Sequence, residues 1–217
     1  MIRRQRRQRA AASTTYKLCS LLLSYPDEEL LEARQDLVAA VDELHSSAAT
    51  EAIHRFCAWW CGEDPLLLQQ HYVETFDLDK RCGLYLSYYG EGDTRQRGVA
   101  LLWLKRLYRA AGLPLGDTSE LPDYLPVMLE FAAAAPDGMG VFALREQRAA
   151  LELLRLSLRE RGTRYAEVLD AICLTLGEPS AAERARAVKL AAAGPPHEQV
   201  GLEPFVPPEI TTTGARR

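Results

Sequence analysis

The 217-residue sequence has little of what marks a sheet, a membrane span or a disulfide scaffold. No stretch alternates Val, Ile and Thr with polar residues, and no Asn-Gly pair offers a hairpin turn, so strands are not expected. The apolar stretches fall far short of the roughly 20 residues that cross a bilayer, which speaks against membrane insertion. Five cysteines are an odd number with no framework spacing. With no secretory signal in view, reduced thiols and a cytoplasmic location are expected. Gly90-Glu91-Gly92 lacks the third glycine of a dinucleotide fingerprint, because position 95 is Arg. No strand precedes it and no Gly-Lys-Ser/Thr follows, so it reads as a turn rather than a phosphate cradle. Histidines 45, 54, 71 and 197 are scattered and give no nucleophile an oriented base. No catalytic set and no cofactor site is expected.

Acidic residues are missing from one place. The first ten residues, MIRRQRRQRA, hold five arginines and no acid, while the whole chain is at −4, which leaves −9 on the remainder. A basic arm without interleaved aromatics, on an acidic body, is not a nucleic-acid footprint. The segment after it is too short and mixed for a twin-arginine export signal. The plain reading is a disordered arm over residues 1–12.

What is present is helical periodicity. Thr14 or Thr15 can cap a first helix, YKLCSLLLSY. A second spans about 27–44, with Leu30, Leu31, Leu37, Val38, Val41 and Leu44 on a broad face. A third, about 50–61, carries Ile53, Phe56, Trp59 and Trp60. Asp64-Pro65 is a helix start, since Asp caps and Pro suits the first helical position. Residues 77–92, DLDKRCGLYLSYYGEG, break the pattern before Asp93 or Thr94 caps a long helix that Gly112 can end. Gly162 and Gly177 are placed to stop two more, the first of them VFALREQRAALELLRLSLRER. Ser180 to Glu183 is a capping box for the last. Residues 194–217 are Pro-rich and read as a flexible tail. The fold class is all-α: one globular helical bundle of about eight or nine helices over 13–193.

Two constellations invite chemistry. His54, Cys57 and Cys61 share one helix face, but the spacing matches no zinc pattern; beside Phe56, Trp59 and Trp60 they read as core, and no metal is expected. Tyr72, Tyr85, Tyr88 and Tyr89 crowd the break at 77–92, among acids. They read equally as a binding surface or as anchors holding a loop to the core. The stretch ELPDYLPVMLEF (120–131) sets two prolines at a helix start. Asp123 is the expected cap and Pro126 falls in the first turn.

Three boxes occur in order: Glu74-Thr75-Phe76-Asp77, Tyr88-Tyr89 followed by Gly92-Asp93-Thr94-Arg95, and Glu120-Leu121-Pro122-Asp123. With YKLCSLLLSYPDEEL at the start, they make about Tyr16 to Leu176 resemble the nitrate reductase molybdenum-cofactor assembly chaperones. These are the NarJ or delta-subunit type, a branch of the TorD-like redox-enzyme maturation chaperones. The resemblance implies a cytoplasmic all-α chaperone without enzymatic turnover. It implies that the apo catalytic subunit of respiratory nitrate reductase is bound through its N-terminal twin-arginine-like remnant and held for cofactor insertion. Molybdenum-cofactor biosynthesis proteins are further partners on this reading; nucleic acid is not. The alternative within the same class is a chaperone of another molybdoenzyme, a sulfoxide or amine-oxide reductase. A basic amphipathic client helix calls for an apolar groove rimmed by acids. The expected rim is Glu74, Asp77, Glu120, Asp123 and Glu130, and the expected apolar contacts are Tyr72, Phe76, Tyr89, Leu121 and Leu125. A structural role for Glu130 with Arg97, as a pair between helices, is the other reading of those two residues. Tyr124 stands where the family tends to carry histidine, so no imidazole titrates there.

Overall fold

The computed structural model describes residues 2–92, 94–116 and 120–193, with side chains over 9–192 of these. Among the described residues twelve α-helices follow one another: α1 (Ile2–Leu22), α2 (Glu28–Glu32), α3 (Arg34–Asp42), α4 (Ala48–Gly62), α5 (Pro65–Tyr72), α6 (Leu86–Glu91), α7 (Arg95–Ala110), α8 (Leu125–Ala134), α9 (Met139–Glu146), α10 (Arg148–Arg161), α11 (Tyr165–Leu176) and α12 (Ala181–Ala193). A π-helical turn, Val73–Asp77, extends α5, and short 3-10 turns cover Lys80–Cys82 and Pro136–Gly138. Among the described residues there is no strand, only one isolated antiparallel bridge.

The all-α expectation holds, with more helices than eight or nine. The helix expected over 27–44 divides at Ala33 into α2 and α3, and the one expected over 141–161 divides at Gln147 into α9 and α10. Neither junction has a Gly or Pro to announce it, so the break is set by packing. The short α6 lies inside the segment that breaks the periodic pattern.

Helix α1 reaches back to Ile2, where the sequence suggests an irregular arm over 1–12. Arg, Gln and Ala are strong helix formers, so the arm can propagate a helix nucleated beyond it. Thr14 and Thr15 do not cap. Their hydroxyls donate back to the carbonyls of Ala10 (3.2 Å) and Ala11 (3.0 Å) within the helix. The proposed tail, 194–217, and Asp93 lie outside the described residues.

Several caps form where the local chemistry placed them. Asp64 Oδ1 accepts from the amides of Leu66 (2.9 Å) and Leu67 (3.4 Å), with Pro65 in the first turn. Thr94 accepts from Gln96 N, and Ser180 and Glu183 close a reciprocal capping box. Gly162 ends α10 at φ +74°, a left-handed conformation that side chains with a Cβ rarely adopt.

Two antiparallel pairings organise the bundle. Helix α4 packs on α11, joining Phe56 and Trp60 to Tyr165 and Ile172 in a buried cluster. Helix α1 lies along α8 and meets it at three levels one turn apart: Ser13 with the Ala133 carbonyl, Lys17 with Glu130, and Ser20 with the Pro126 carbonyl (2.8 Å). Helix α8 in turn meets α9 without clearance. A Cβ on Gly140 would lie 2.6 Å from the Phe131 carbonyl oxygen and 2.7 Å from the Ala132 nitrogen.

The aromatic cluster includes an imidazole. His71 stacks on Tyr165 with centroids 5.8 Å apart, and its Nε2 lies 2.6 Å from Thr163 Oγ1. Burial, then the charge of Arg161, holds its pKa below the usual value, while Glu74 and Glu63 act weakly the other way.

Two outcomes are expected. Gly140→Ala must push α8 and α9 apart and should cost about 1–3 kcal/mol in urea unfolding, since backbone rather than a mobile side chain is in the way. For His71 the folded pKa lies below the unfolded one, so the unfolded chain takes up the proton first and stability falls as pH drops below about 6.5. The urea midpoint should fall less between about pH 7.5 and 5.5 in His71→Gln than in the parent.

Candidate functional site

The two non-periodic segments meet. Leu86 N donates to the Asp123 carbonyl (3.0 Å) and Leu125 N to the Leu84 carbonyl (2.8 Å), pairing Tyr85 with Tyr124 in the isolated bridge. Tyr108 on α7 adds a third tie, donating to the Pro122 carbonyl (2.7 Å) while its ring packs on Phe131 at 4.2 Å.

Asp123 is the anchor of this junction. It does not cap α8, as the sequence suggested; the N-cap there is Tyr124, with no side-chain cap bond. Its side chain is fully buried, and Oδ2 accepts from the amide and hydroxyl of Ser87, in the first turn of α6. It thus caps a helix that precedes it by more than thirty residues. Arg97 approaches the same oxygen at 3.5 Å and donates from Nε to Ser87 Oγ at 3.4 Å. The Arg97 guanidinium also lies over the rings of Tyr85 and Tyr88, 6.0 and 5.8 Å from their centroids. A carboxylate without water exposure requires such donors.

The surface above this anchor is aromatic and acidic. The Tyr85 and Tyr124 rings pack at 5.2 Å, and the Tyr85 hydroxyl donates to Glu120 Oε2 at 3.3 Å. Burial, then Glu120, pushes the Tyr85 hydroxyl up to about 12. The Tyr72 hydroxyl donates to the Leu23 carbonyl (3.0 Å), so the Tyr124 hydroxyl donates to Tyr72 (3.1 Å). Tyr25 meets Tyr72 edge-on at 5.5 Å and is 43% exposed. Burial raises the Tyr124 pKa, with Glu120 and Asp77 adding to the rise. The charges of both carboxylates therefore reach Tyr124, which stays neutral near pH 7.

The π-helical turn presents Asp77. Leu78 N bonds to the Val73 carbonyl (3.0 Å), five residues back, which turns Asp77 and Leu78 outward while Thr75 and Phe76 stay buried. Such turns inside helices recur at functional sites.

The expected site residues separate into groups. Asp77 and Glu120 are exposed and the charge of each reaches Tyr124, with Leu121 half-buried next to Glu120 in the chain. Tyr72, Phe76, Tyr89 and Leu125 are buried, so they lie in the core and not on the exposed face expected for apolar contacts. Tyr89 donates to the carbonyls of Arg81 (2.9 Å) and Gly83 (3.0 Å) and anchors the loop. Asp123 is likewise removed from the rim. Glu74 is exposed but opens on another cleft, with Trp59, Glu63, His71 and Arg164. Glu130 pairs with Lys17 on α1, not with Arg97. Tyr85, Tyr124, Tyr25 and Leu78 are surface residues absent from the expected set; only the tyrosine crowding hinted at the first of them.

The other candidate constellation stays apart. Cys57 is buried, which pushes its thiol up to about 12, and His54 faces Asp42 at 3.6 Å. Among the described residues no group of three or more His, Cys, Asp or Glu is placed to hold a metal ion. No helix among them is long and apolar enough to cross a membrane.

A fold of this class is known. The structure is similar to the crystal structure of a putative redox enzyme maturation protein from Archaeoglobus fulgidus, with a TM-score of 0.57 and 26% identity, covering 76% of this chain and 94% of that one. The family model described as nitrate reductase delta subunit matches residues 34–170, and the chain belongs to that family. It is 36% identical over 162 residues to the probable nitrate reductase molybdenum cofactor assembly chaperone NarJ of Bacillus subtilis, covering 75% of this chain and 88% of that protein. It is 35% identical over 158 residues to the nitrate reductase molybdenum cofactor assembly chaperone NarJ of Escherichia coli K12, covering 71% of this chain and 66% of that protein. A similar match, 36% identical over 74% of this chain, spans only 24% of the nitrate reductase-like protein NarX of Mycobacterium tuberculosis.

Removing the buried carboxylate should loosen the junction. Asp123→Ala is expected to cost about 3 kcal/mol in urea unfolding, because it leaves Ser87 and Arg97 without a shared acceptor. Glu120→Ala, at the exposed end of the same segment, should stay within about 0.5 kcal/mol of the parent.

Proposed function

We propose that this chain is a system-specific chaperone for respiratory nitrate reductase. It binds the apo catalytic subunit, including its N-terminal segment, and holds it for molybdenum-cofactor insertion and assembly. The observation that carries the reading is the junction surface: Asp77 and Glu120 beside the half-buried Tyr85 and Tyr124, with exposed Tyr25 and Leu78 flanking. Rigid tyrosines offer contact area at little entropic cost, and carboxylates favour a basic partner. A twin-arginine-like client remnant has that chemistry. The names of the relatives support the choice of client, since both NarJ proteins are described as assembly chaperones of nitrate reductase.

The surface suits a helix or extended segment lying across the bridge, with arginines toward Asp77 and Glu120 and apolar residues on the tyrosines. Binding here requires no bond-making group, which fits a protein that holds a client and then releases it.

The test is calorimetry of the full chain with a peptide of the client's N-terminal residues. Asp77→Lys with Glu120→Lys should weaken binding about tenfold at low salt, and the difference should shrink at high salt as screening shortens the reach of the charges. Equal affinity of parent and variant would refute the acidic surface. Co-purification of the catalytic subunit, with and without its first few dozen residues, tests the client itself.

A further inference from the structure

The outward face of α7 presents large apolar side chains to solvent. Leu104 and Tyr108 are its buried residues. On the opposite side Val99, Leu102 and Trp103 are 65%, 57% and 38% exposed. Phe142 on α9, 50% exposed, meets the Trp103 ring at 6.1 Å and widens the patch. The charges on this face follow a pattern. Arg95, Val99, Leu102, Arg106 and Arg109 recur at helical spacing, so one stripe runs arginine, apolar, arginine along about 20 Å of helix. Helix α7 contains no Asp or Glu. Arg95, Arg106 and Arg109 are exposed and make no ion pair with the described residues.

We infer that this face docks a partner segment whose apolar residues are flanked by carboxylates. Contiguous apolar surface of this kind marks interaction sites, and Trp and Arg are the residues that dominate binding energy at such sites. The arginines at both ends choose the sign of the partner. They repel a basic client helix, so the occupant differs from the ligand of the Asp77–Glu120 surface, and the inference does not rest on that reading. They also disfavour a second copy docking through the same face, because two arginine-ended stripes would meet like with like. An amphipathic helix with apolar residues at i, i+3 and i+4, to meet Val99, Leu102 and Trp103, and Asp or Glu in the turns before and after, complements this face in polarity and charge.

The probe is a fluorescein-labelled helical peptide with Leu at i, i+3 and i+4 and Glu in both flanking turns, compared with its twin carrying Lys for Glu. Anisotropy should show the full chain binding the acidic peptide at least about tenfold more tightly than the lysine twin. Arg106→Glu should weaken the acidic peptide and strengthen the twin; Trp103→Ser should weaken the acidic peptide about tenfold or more. Arg106 is exposed, so Arg106→Glu should keep the parent's urea midpoint, and Trp103→Ser is compared without urea at a temperature where its circular dichroism matches the parent's. Equal binding of the two peptides, or indifference to Arg106→Glu, would overturn the inference. Two other results would also overturn it. One is a dimer by sedimentation that Trp103→Ser dissociates, which would assign the face to a second copy. The other is tighter probe binding in the full chain carrying Leu202→Ser and Phe205→Ser, which would assign it to the chain's own acidic, apolar stretch at 198–210.

Discussion

A carboxylate sealed from water has to be met by donors, and at Asp123 the hydrogen bonds come from Ser87, which the chain left more than thirty residues earlier. Ser87 supplies its amide and its hydroxyl to Oδ2, and Arg97 approaches the same oxygen from the start of α7. Much of the architecture follows from that requirement. The α6 segment has to lie against residues 120–124, the two backbone bonds of the Tyr85–Tyr124 bridge form beside it, and α8 begins where the bridge ends. The aromatic and acidic surface proposed to receive a client is the solvent side of the same junction. Its rigidity is inherited from a buried ion pair rather than from the surface residues themselves.

The same junction explains the two prolines. Pro122 offers its carbonyl to Tyr108 and has no amide to lose, and Pro126 sits in the first turn of α8, where a missing donor costs little. The carbonyl of Pro126 accepts from Ser20, so the residue that cannot donate still ties α8 to α1. The two surfaces inferred here are separate in charge. One gathers Asp77 and Glu120, the other Arg95, Arg106 and Arg109. A maturation chaperone with surfaces of opposite sign can engage two chemically different segments without competition between them.

Fold class was legible because it rests on local rules. Asp64-Pro65, Thr94, Gly162 and the Ser180–Glu183 box each act within a few residues, and each forms as its chemistry dictates. The breaks at Ala33 and Gln147 were not legible, since no residue there disfavours a helix and only neighbouring helices make continuation impossible. The candidate site was legible only in part. The boxes lie on segments that meet in the structure, and the charges of Asp77 and Glu120 both reach Tyr124. Burial was the missing quantity. Tyr72, Phe76, Tyr89 and Leu125 sit in the same boxes but point inward, and the π-helical turn that rotates Asp77 outward leaves no mark in residue type.

The sequence by itself determined that this chain is helical, that it carries a basic start on an acidic body, and that its family-like boxes lie at two helix breaks. These follow from propensity, capping and charge, which act along the chain. Tertiary structure alone decided that Asp123 is an anchor and not a rim charge, that Glu130 serves α1, and that α7 shows an apolar face between arginines. Each of those depends on which side of an element faces its neighbours. That is fixed by packing over long sequence separations, and periodicity cannot say which of two faces the core will take.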